Sequence, residues 1–555
     1  MIAPKDIDDE QGASARCERD GCSGARLEGT HCIGHATDEE LREAVKRWCL
    51  GQSLDARNAT ISNKCLQRLL GVLTSEDTQR QLASRERDRP GTTVYGSVQF
   101  DRARFPDTAN FRGVNFAGPA SFDDATFAGA ADFSDTTFRG HADFDAVTFG
   151  DGANFARAIF DDHAGFQGAT FKRAAEFDGV RFRSYTDFEN ATFDGDANMR
   201  GATFQLARQL GPFVVTKKLI LDESLFTERI TVAAVAGLVS TRSAIFTDGV
   251  RLSLRAAEIW LDCADFGRAS TLSHAKSWTV PTGEDWSDCL LEEAGALPRL
   301  ATLCGAQVAG LSLSGIDLRH CRFFGAHGLH ALIVEPSCKW QHTPPSRFCI
   351  DREMIAEEYD WRCRDEKSNG VKRTLWRYFS PQWNQHDCER LDRRDSDHDA
   401  VLEPEQLAAL YRALRKASED GNDQAGAGDL YYGEMEMRRR IPIPRKRGRI
   451  RGHCDWGVIS AYWLLAGYGL RASRAFGALI TVTLLAAIPL SIWGFHPPRA
   501  YGRALLFAVQ SGVSLLHPPE AKLSASGQVI EIVLRLASPV FFGLAILSLR
   551  SRIKR

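Results

Sequence analysis

The chain has 555 residues, 44% of them apolar, and a formal net charge of −2. That length exceeds what one core organises, so several domains are expected, and the near-neutral balance excludes a chain that binds nucleic acid through global positive charge. The opening stretch, Met1 to Gly12, is polar and acidic without the apolar run of a secretory leader, which places the soluble part in the cytoplasm and its fourteen irregularly spaced cysteines mostly in reduced form.

One cysteine group stands apart. Cys17, Cys22, Cys32 and His35 form a C-x4-C-x9-C-x2-H set in a Gly-rich loop, and residues 1–36 are read as a small module around it. Three thiolates and one imidazole complete a tetrahedral zinc set, and a loop this short has no core of its own. The spacing matches no strict finger pattern, His31 is a rival ligand, and incidental thiols are the plainer alternative. Four protein ligands leave no open position, so any Zn2+ here is expected to be structural. Residues 37–90 follow as a helical cap, beginning with a helix at Asp38 to Trp48.

Between Phe100 and Phe204 an aromatic recurs at alternating steps of five and six residues. The beats are Phe100, Phe105, Phe111, Phe116, Phe122, Phe127, Phe133, Phe138, Phe144, Phe149, Phe155, Phe160, Phe166, Phe171, Phe177, Phe182, Phe188, Phe193, Met199 and Phe204. Two positions before nearly every beat stands a small or β-branched residue, such as Ala103, Ala109, Val114, Ala120 and Ala131. Neither a 3.6-residue helix nor a long strand gives this spacing, whereas a solenoid does. Each short side sends one large and one small side chain inward and then turns a corner, and coils about 4.8 Å apart stack the rings.

Segments such as Ala131-Asp132-Phe133-Ser134-Asp135 and Ala153-Asn154-Phe155-Ala156-Arg157 resemble the pentapeptide-repeat family. The resemblance implies a right-handed quadrilateral β-helix. An extra residue in every second step, giving an eleven-residue double unit, departs from the family motif. After Phe204 the beat loosens, but short strands and a last patch from Leu311 to Phe323 extend the expected solenoid over residues 91–335, regular from 100 to 204 and irregular beyond.

Residues 336–400 read as an irregular linker with a short helix at Met354 to Cys363. Asp395, Asp397 and Asp399 alternate like a calcium loop, but Ala400 and Gln406 break that pattern at its sixth and twelfth positions. Residues 401–452 give a helical hairpin, Glu403 to Ser418 and then Leu430 to Arg440, with a basic juxtamembrane run. The wording Tyr411-Arg412-Ala413-Leu414-Arg415-Lys416 and Tyr431-Tyr432-Gly433-Glu434-Met435-Glu436-Met437-Arg438-Arg439 resembles the segment joining pentapeptide solenoids to membrane domains in a bacterial group. In that group the membrane part is similar to a two-helix ion-channel module. A packed hairpin that only connects is the simpler reading.

Residues 453–555 are read as a membrane domain. Crossings are expected at about 476–495 and 529–549, with a re-entrant stretch at 504–516 between them and Trp456 to Leu470 at the interface. Eight basic residues from Arg438 to Arg451, and four more after Leu549, place both termini in the cytoplasm. Glu531 and Arg535 are the intramembrane polar candidates, and no Thr-Val-Gly-Tyr-Gly type filter is present.

No nucleotide, hydrolase or metalloprotease motif occurs, so no enzyme is expected. The expected fold is multidomain: the β-helix with helical caps and linker, then a transmembrane helical hairpin. The expected role is a membrane-anchored scaffold at the cytoplasmic face of the bacterial inner membrane, multi-pass, with the lipid bilayer and a protein on the solenoid surface as partners. One alternative is a homo-oligomeric channel-like subunit gated by the solenoid. Another rests on the acidic face, seventeen acids against ten bases from Phe100 to Phe204, since some pentapeptide-repeat proteins mimic DNA to block topoisomerases. Membrane tethering argues against that, and nucleic acid is not expected as a partner.

Overall fold

The structure is a computed structural model that describes residues 16–27, 30–49, 52–73, 93–94, 96–275, 297–343, 352–368, 402–421, 423–441, 449–470, 472–495, 500–513 and 523–553. The chain divides into two units, Met1–Gln341 and His342–Arg555, each of which is taken by itself.

The first unit is a parallel β-solenoid with four strands to a regular coil. Phe105 pairs in register with Phe127, Phe127 with Phe149 and Phe149 with Phe171, so one coil consumes twenty-two residues, or two of the eleven-residue units. Each side of the coil is a two-residue strand, as in Arg104–Phe105 and Ala109–Asn110. Strand alternation points Arg104 outward and Phe105 inward, then Ala109 inward and Asn110 outward.

The alternation of five and six comes from two kinds of corner. Arg102, Gly113, Asp124, Asp135, Ala146, Arg157, Gly168, Gly179, Asn190 and Gly201 all have positive φ, between 53° and 71°, and recur at every eleventh position. Each sits in a five-residue step, where a left-handed residue closes a tight turn. The six-residue steps use one residue more and stay at negative φ. For Arg102, Ala146 and Arg157 the left-handed conformation costs about 1–2 kcal/mol, and amide bonds to the next coil offset it: Arg102 N to Asp123 O is 2.7 Å and Ala146 N to Gln167 O is 2.7 Å.

Inside, the rings form columns. Phe105, Phe127, Phe149, Phe171 and Phe193 stack with centroids 4.4–5.2 Å apart and planes within 12°. Phe116, Phe138, Phe160 and Phe182 make a second column at 4.9–5.1 Å that continues through Phe204, Phe226, Phe246 and Phe266. Two further columns meet edge to face, as Phe122 and Phe133 do at 5.5 Å and 85°. All of these side chains are fully buried, and burial contributes roughly 1.5–3 kcal/mol for each ring.

Beyond Phe204 the beat loosens for a structural reason. Gln209–Ile220 is a single twelve-residue strand that pairs with both Thr192–Phe193 and Ala197–Asn198, so two sides of the coil have merged and a corner is lost. The coil then shortens: Phe204 pairs with Phe226 across twenty-two residues, but Phe226 pairs with Phe246 across twenty. Only the column ending at Phe266 keeps its aromatics throughout.

At the other end, α1 (Asp38–Cys49) and α2 (Asn63–Leu73) are separate helices. Between them Leu54–Asp55 pairs with Val98–Gln99 and Thr60 bridges to Arg104, so the solenoid gains a partial first coil upstream of residue 91. Leu54, Ala56, Ala59 and Ile61 are its buried residues. Trp48, at the end of α1, plugs the second column, with its ring 6.5 Å from Phe116 and its Nε1 donating to Gly96 O at 3.0 Å.

The second unit is helical. α3 (Ala356–Ser368) precedes the hairpin of α4 (Pro404–Asp420) and α5 (Gln424–Arg440). Glu403 and Gln406 make a capping box on α4, and Asp423 caps α5 by accepting from Gly426 N at 3.0 Å. Then come α6 (Arg449–Ala466), α7 (Ala472–Pro489) with five π-helical residues Leu490–Gly494, α8 (Tyr501–Val513) and α9 (Ala525–Ile553). Ser473–Gly494 and Ala525–Ile546 are each twenty-two residues long and apolar, enough for about 33 Å at 1.5 Å per residue. The short α8 packs between them through Ala504, Phe507 and Ala508 against Leu490, Phe495 and Leu534. The Asp395–Asp399 stretch, Arg445 to Arg447 and Ser514 to Leu516 lie outside the described residues.

Replacing Phe149 by Ala removes one ring from the middle of a column whose neighbours, Phe127 and Phe171, are fixed by the coil. Such a site cannot collapse, so the substitution is expected to cost about 3–5 kcal/mol in chemical denaturation. A loss under about 1 kcal/mol would show that the columns are not what holds the coils together.

Candidate functional site

Two clusters of polar side chains are built into the described residues. The first is the metal-type set. Ligand atoms of Cys17, Cys22, Cys32 and His35 all lie within 4.8 Å of one another. Cys17 Sγ and Cys32 Sγ are each 3.5 Å from His35 Nδ1, and Cys22 Sγ is 3.6 Å from Cys32 Sγ. Ligands held about 2.1–2.3 Å from a tetrahedral zinc lie about 3.6–3.8 Å apart, so the donor set fits such an ion. His31, the rival ligand, is held outside the set by Thr30 Oγ1 at 2.9 Å and Glu40 at 3.4 Å.

Electrostatics point the same way. Burial pushes Cys17 up, but the backbone of Cys32 and Arg19 and the His35 side chain outweigh it and bring the thiol down to about 6. Burial and the Cys22 thiol push Cys32 up to about 12. Three sulfurs this close cannot all ionise unless a cation shares the charge. Among the described cysteines Cys363 departs from the expected reduced state, being disulfide-bonded.

The second cluster lies in the helical unit and was not anticipated from the sequence. Glu358 on α3 receives Arg352 Nη2 at 2.6 and 2.7 Å and Arg362 Nε at 2.7 Å, and Tyr411 of α4 donates its hydroxyl to the same carboxylate. Gly433 makes the approach of α4 and α5 feasible, because a Cβ there would stand 2.5 Å from the Tyr411 ring. Next along α5, Glu436 is surrounded by Arg439 at 2.7 Å, Arg362 at 3.8 Å and Arg440 at 3.9 Å. Its other oxygen accepts from the Tyr468 hydroxyl at 3.2 Å. Tyr468 is buried between Gly467 and Gly469, and all three have positive φ (52°, 58° and 77°). This left-handed turn joins α6 to α7, the first apolar helix. Trp463 of α6 reinforces it, donating to Tyr432 at 3.0 Å under the Arg439 guanidinium.

The sequence carried weak signals of this junction: a Tyr between two glycines, and Glu434 and Glu436 four positions before Arg438 and Arg440. Glu531 and Arg535 do come together, at 3.8 Å and largely buried, and Glu531 Oε1 makes no hydrogen bond. Ser511 of α8 is buried with its hydroxyl unbonded, and Gly512 packs on Ser538. The solenoid Phe side chains, from Phe105 to Phe193, are core and touch no site.

Against known proteins, the family described as pentapeptide repeats matches residues 91–126, 122–170 and 166–208 in nine copies. The regular part of the solenoid is therefore a run of pentapeptide repeats. No curated protein and no solved structure matches the chain.

The junction has a definite pH dependence. Burial alone would raise Glu358, but Arg352 and Arg362 outweigh it and hold the carboxyl down at about 2. A depressed carboxyl contributes its stability fully above the unfolded value, about 4.3, and loses it as pH falls through the folded value. Thermal unfolding of the helical unit should thus be flat from pH 7 to about 5 and fall toward pH 2. Glu358→Gln should flatten that acid limb and cost about 3–5 kcal/mol at neutral pH, since it strands Arg352. An unaltered acid limb in the variant would remove Glu358 from this role.

Proposed function

We propose that the chain is a membrane-anchored scaffold. Its pentapeptide-repeat solenoid displays a rigid outer surface to a protein partner, and its last two long helices fix it in the cell's inner membrane with both termini on the cytoplasmic side. The observation that carries this reading is the pairing of a solenoid whose inward residues are all core with two apolar helices whose outward residues, among them Leu484, Leu485, Ile488, Val529, Val533 and Leu536, are exposed. Exposed apolar faces of this length suit lipid. The Cys17, Cys22, Cys32 and His35 set holds a structural Zn2+, with its four donors leaving no coordination position for substrate. On this reading the chain acts by binding and display, and the ion is structural.

The second reading is a subunit of an oligomeric channel. It is favoured by α8 packed between the two long helices, by the buried Ser511 hydroxyl that makes no hydrogen bond, and by Glu531, paired with Arg535 at 3.8 Å. Arg412, Arg415 and Arg438 around Glu434, and the residues around Glu436, make α5 a neutralised, ordered connector in either case.

Membrane fractions extracted at alkaline pH should retain the full chain, and a chain ending before Ala472 should be released. Liposomes carrying the purified full-length protein should stay tight to monovalent cations. Release of the intact chain would remove the anchor. Cation flux that Glu531→Gln changes would replace the scaffold with the channel.

A further inference from the structure

A β-solenoid ends in strand edges, whose unpaired amides and carbonyls invite another strand. At the N-terminal end the edge is the partial coil from Leu54 to Ile61. It bonds inward to the first full coil through Leu54 N to Ser97 O at 2.9 Å, Ala56 N to Gln99 O at 2.8 Å and Ile61 N to Arg104 O at 2.8 Å. Among the described residues, the loop that carries the metal ligands lies over its outer side. Ala25 N donates to Arg57 O at 2.9 Å and Ser23 Oγ to Asn58 O at 3.4 Å. Gly34 lies so close that a Cβ would stand 2.2 Å from Thr60 O. The same loop is tied to α2 by Cys65 Sγ to Ile33 O at 3.0 Å and Arg68 Nη2 to Ala36 O at 3.2 Å.

We propose that the site formed by Cys17, Cys22, Cys32 and His35 is a zinc latch on this edge: Zn2+ holds the loop down over the partial coil, and loss of the metal opens the coil to pairing with the same coil of a second copy. The inference rests on the zinc reading above. The buried apolar residues of the loop are few, Ala25, Leu27, Ile33 and Ala36, and its backbone closes through the bridges Arg16 to Ala25 and Arg26 to Cys32, so the four ligands are the cross-links that tie its start, middle and end together. Cys22 and His35 are half-buried, which lets the ion exchange without opening the solenoid. The occupant follows from the edge itself. Its spacing of short strands is matched by the same end of a second copy across a twofold axis, and Asp55 and Arg57 close on each other at 2.8 Å, so this pair brings no uncompensated charge to that contact.

The test uses full-length protein in detergent micelles. Zinc is counted by elemental mass spectrometry, size by light scattering and backbone protection by hydrogen exchange, each with and without a high-affinity zinc chelator. The expected result is about one zinc per chain. Chelation should speed exchange at Leu54 to Ile61 by at least about tenfold while the coils from Phe133 to Phe182 stay protected. The particle mass should double, and added zinc should reverse both changes. Cys22→Ser should reproduce the chelated state, and Ala25→Pro, which keeps every ligand but deletes the donor to Arg57, should open the edge with zinc still bound.

Protein that binds no zinc removes the zinc reading and the latch together. Zinc that leaves without altering exchange or mass overturns the latch and spares the zinc site. Faster exchange without a change of mass overturns the second copy as occupant. Loss of protection throughout the solenoid overturns a local latch in favour of a role in global folding.

Discussion

Every feature of the solenoid follows from one constraint: the ring at a given position must lie on the ring one coil later. Phe105 over Phe127 and Phe116 over Phe138, at 4.4 and 5.1 Å, set the length of the coil and hence the place of each corner. A coil that gained or lost one residue inside a side would turn the next Phe outward. Corners therefore carry the variation. They accept Arg, Ala or Asn at left-handed φ because a carbonyl of the following coil is already in place to accept their N–H groups. The outer charges obey the same spacing: Arg157 meets Asp135 at 2.7 Å and Arg183 meets Asp161 at 2.8 Å. Exposed pairs of this kind contribute only about 0.2–1 kcal/mol, so they tune a register that the rings impose.

The constraint also explains where the solenoid changes. Once two sides fuse in Gln209–Ile220, the inward positions along that long strand are filled by Leu210, Phe213, Val215 and Leu219, since a continuous strand packs aliphatics as well as rings. The coil can then shorten, and it absorbs an insertion between His274 and Arg299 while strands on both sides of it still pair with Val250–Trp260. Stacking has no end of its own, so the first coil needs a lid of different construction. Trp48 serves the aromatic column and the ligand-bearing loop serves the strand edge.

Legibility in the sequence tracked how local each cause is. The Phe beat exposed the solenoid because every repeat restates it, and the donor set of Cys17, Cys22, Cys32 and His35 was visible because its spacing is short. The spacing offers His35 as the fourth ligand, but setting the rival His31 aside required the fold, since it is Glu40 on α1 and Thr30 that hold His31 away. The two corner types were hidden because a left-handed Arg157 is sustained by an amide bond to Asp178, one coil away. The partial coil at Leu54 to Ile61 is too short to display a period. The charged junction was hidden for the opposite reason: its members, Arg352, Glu358, Tyr411, Glu436 and Tyr468, are scattered and have no repeat to announce them.

The two units therefore rely on different physics, with different consequences for how they yield. The burial of the rings is nearly additive along the axis, so a solenoid can lose an end coil and keep the rest. The junction cannot yield by parts. Glu358 and Glu436 are buried with Arg352, Arg362 and Arg439, and removing any one partner leaves a charge stranded in low dielectric. Such networks are weak sources of net stability but strong selectors of one arrangement. Here the arrangement selected is the left-handed turn at Tyr468, a conformation that costs about 1–2 kcal/mol for a residue with a Cβ. Burial of the ring against Tyr432 and the hydroxyl bond to Glu436 offset that cost. A carboxylate on α5 thus takes part in fixing the turn by which the chain enters its first long apolar helix.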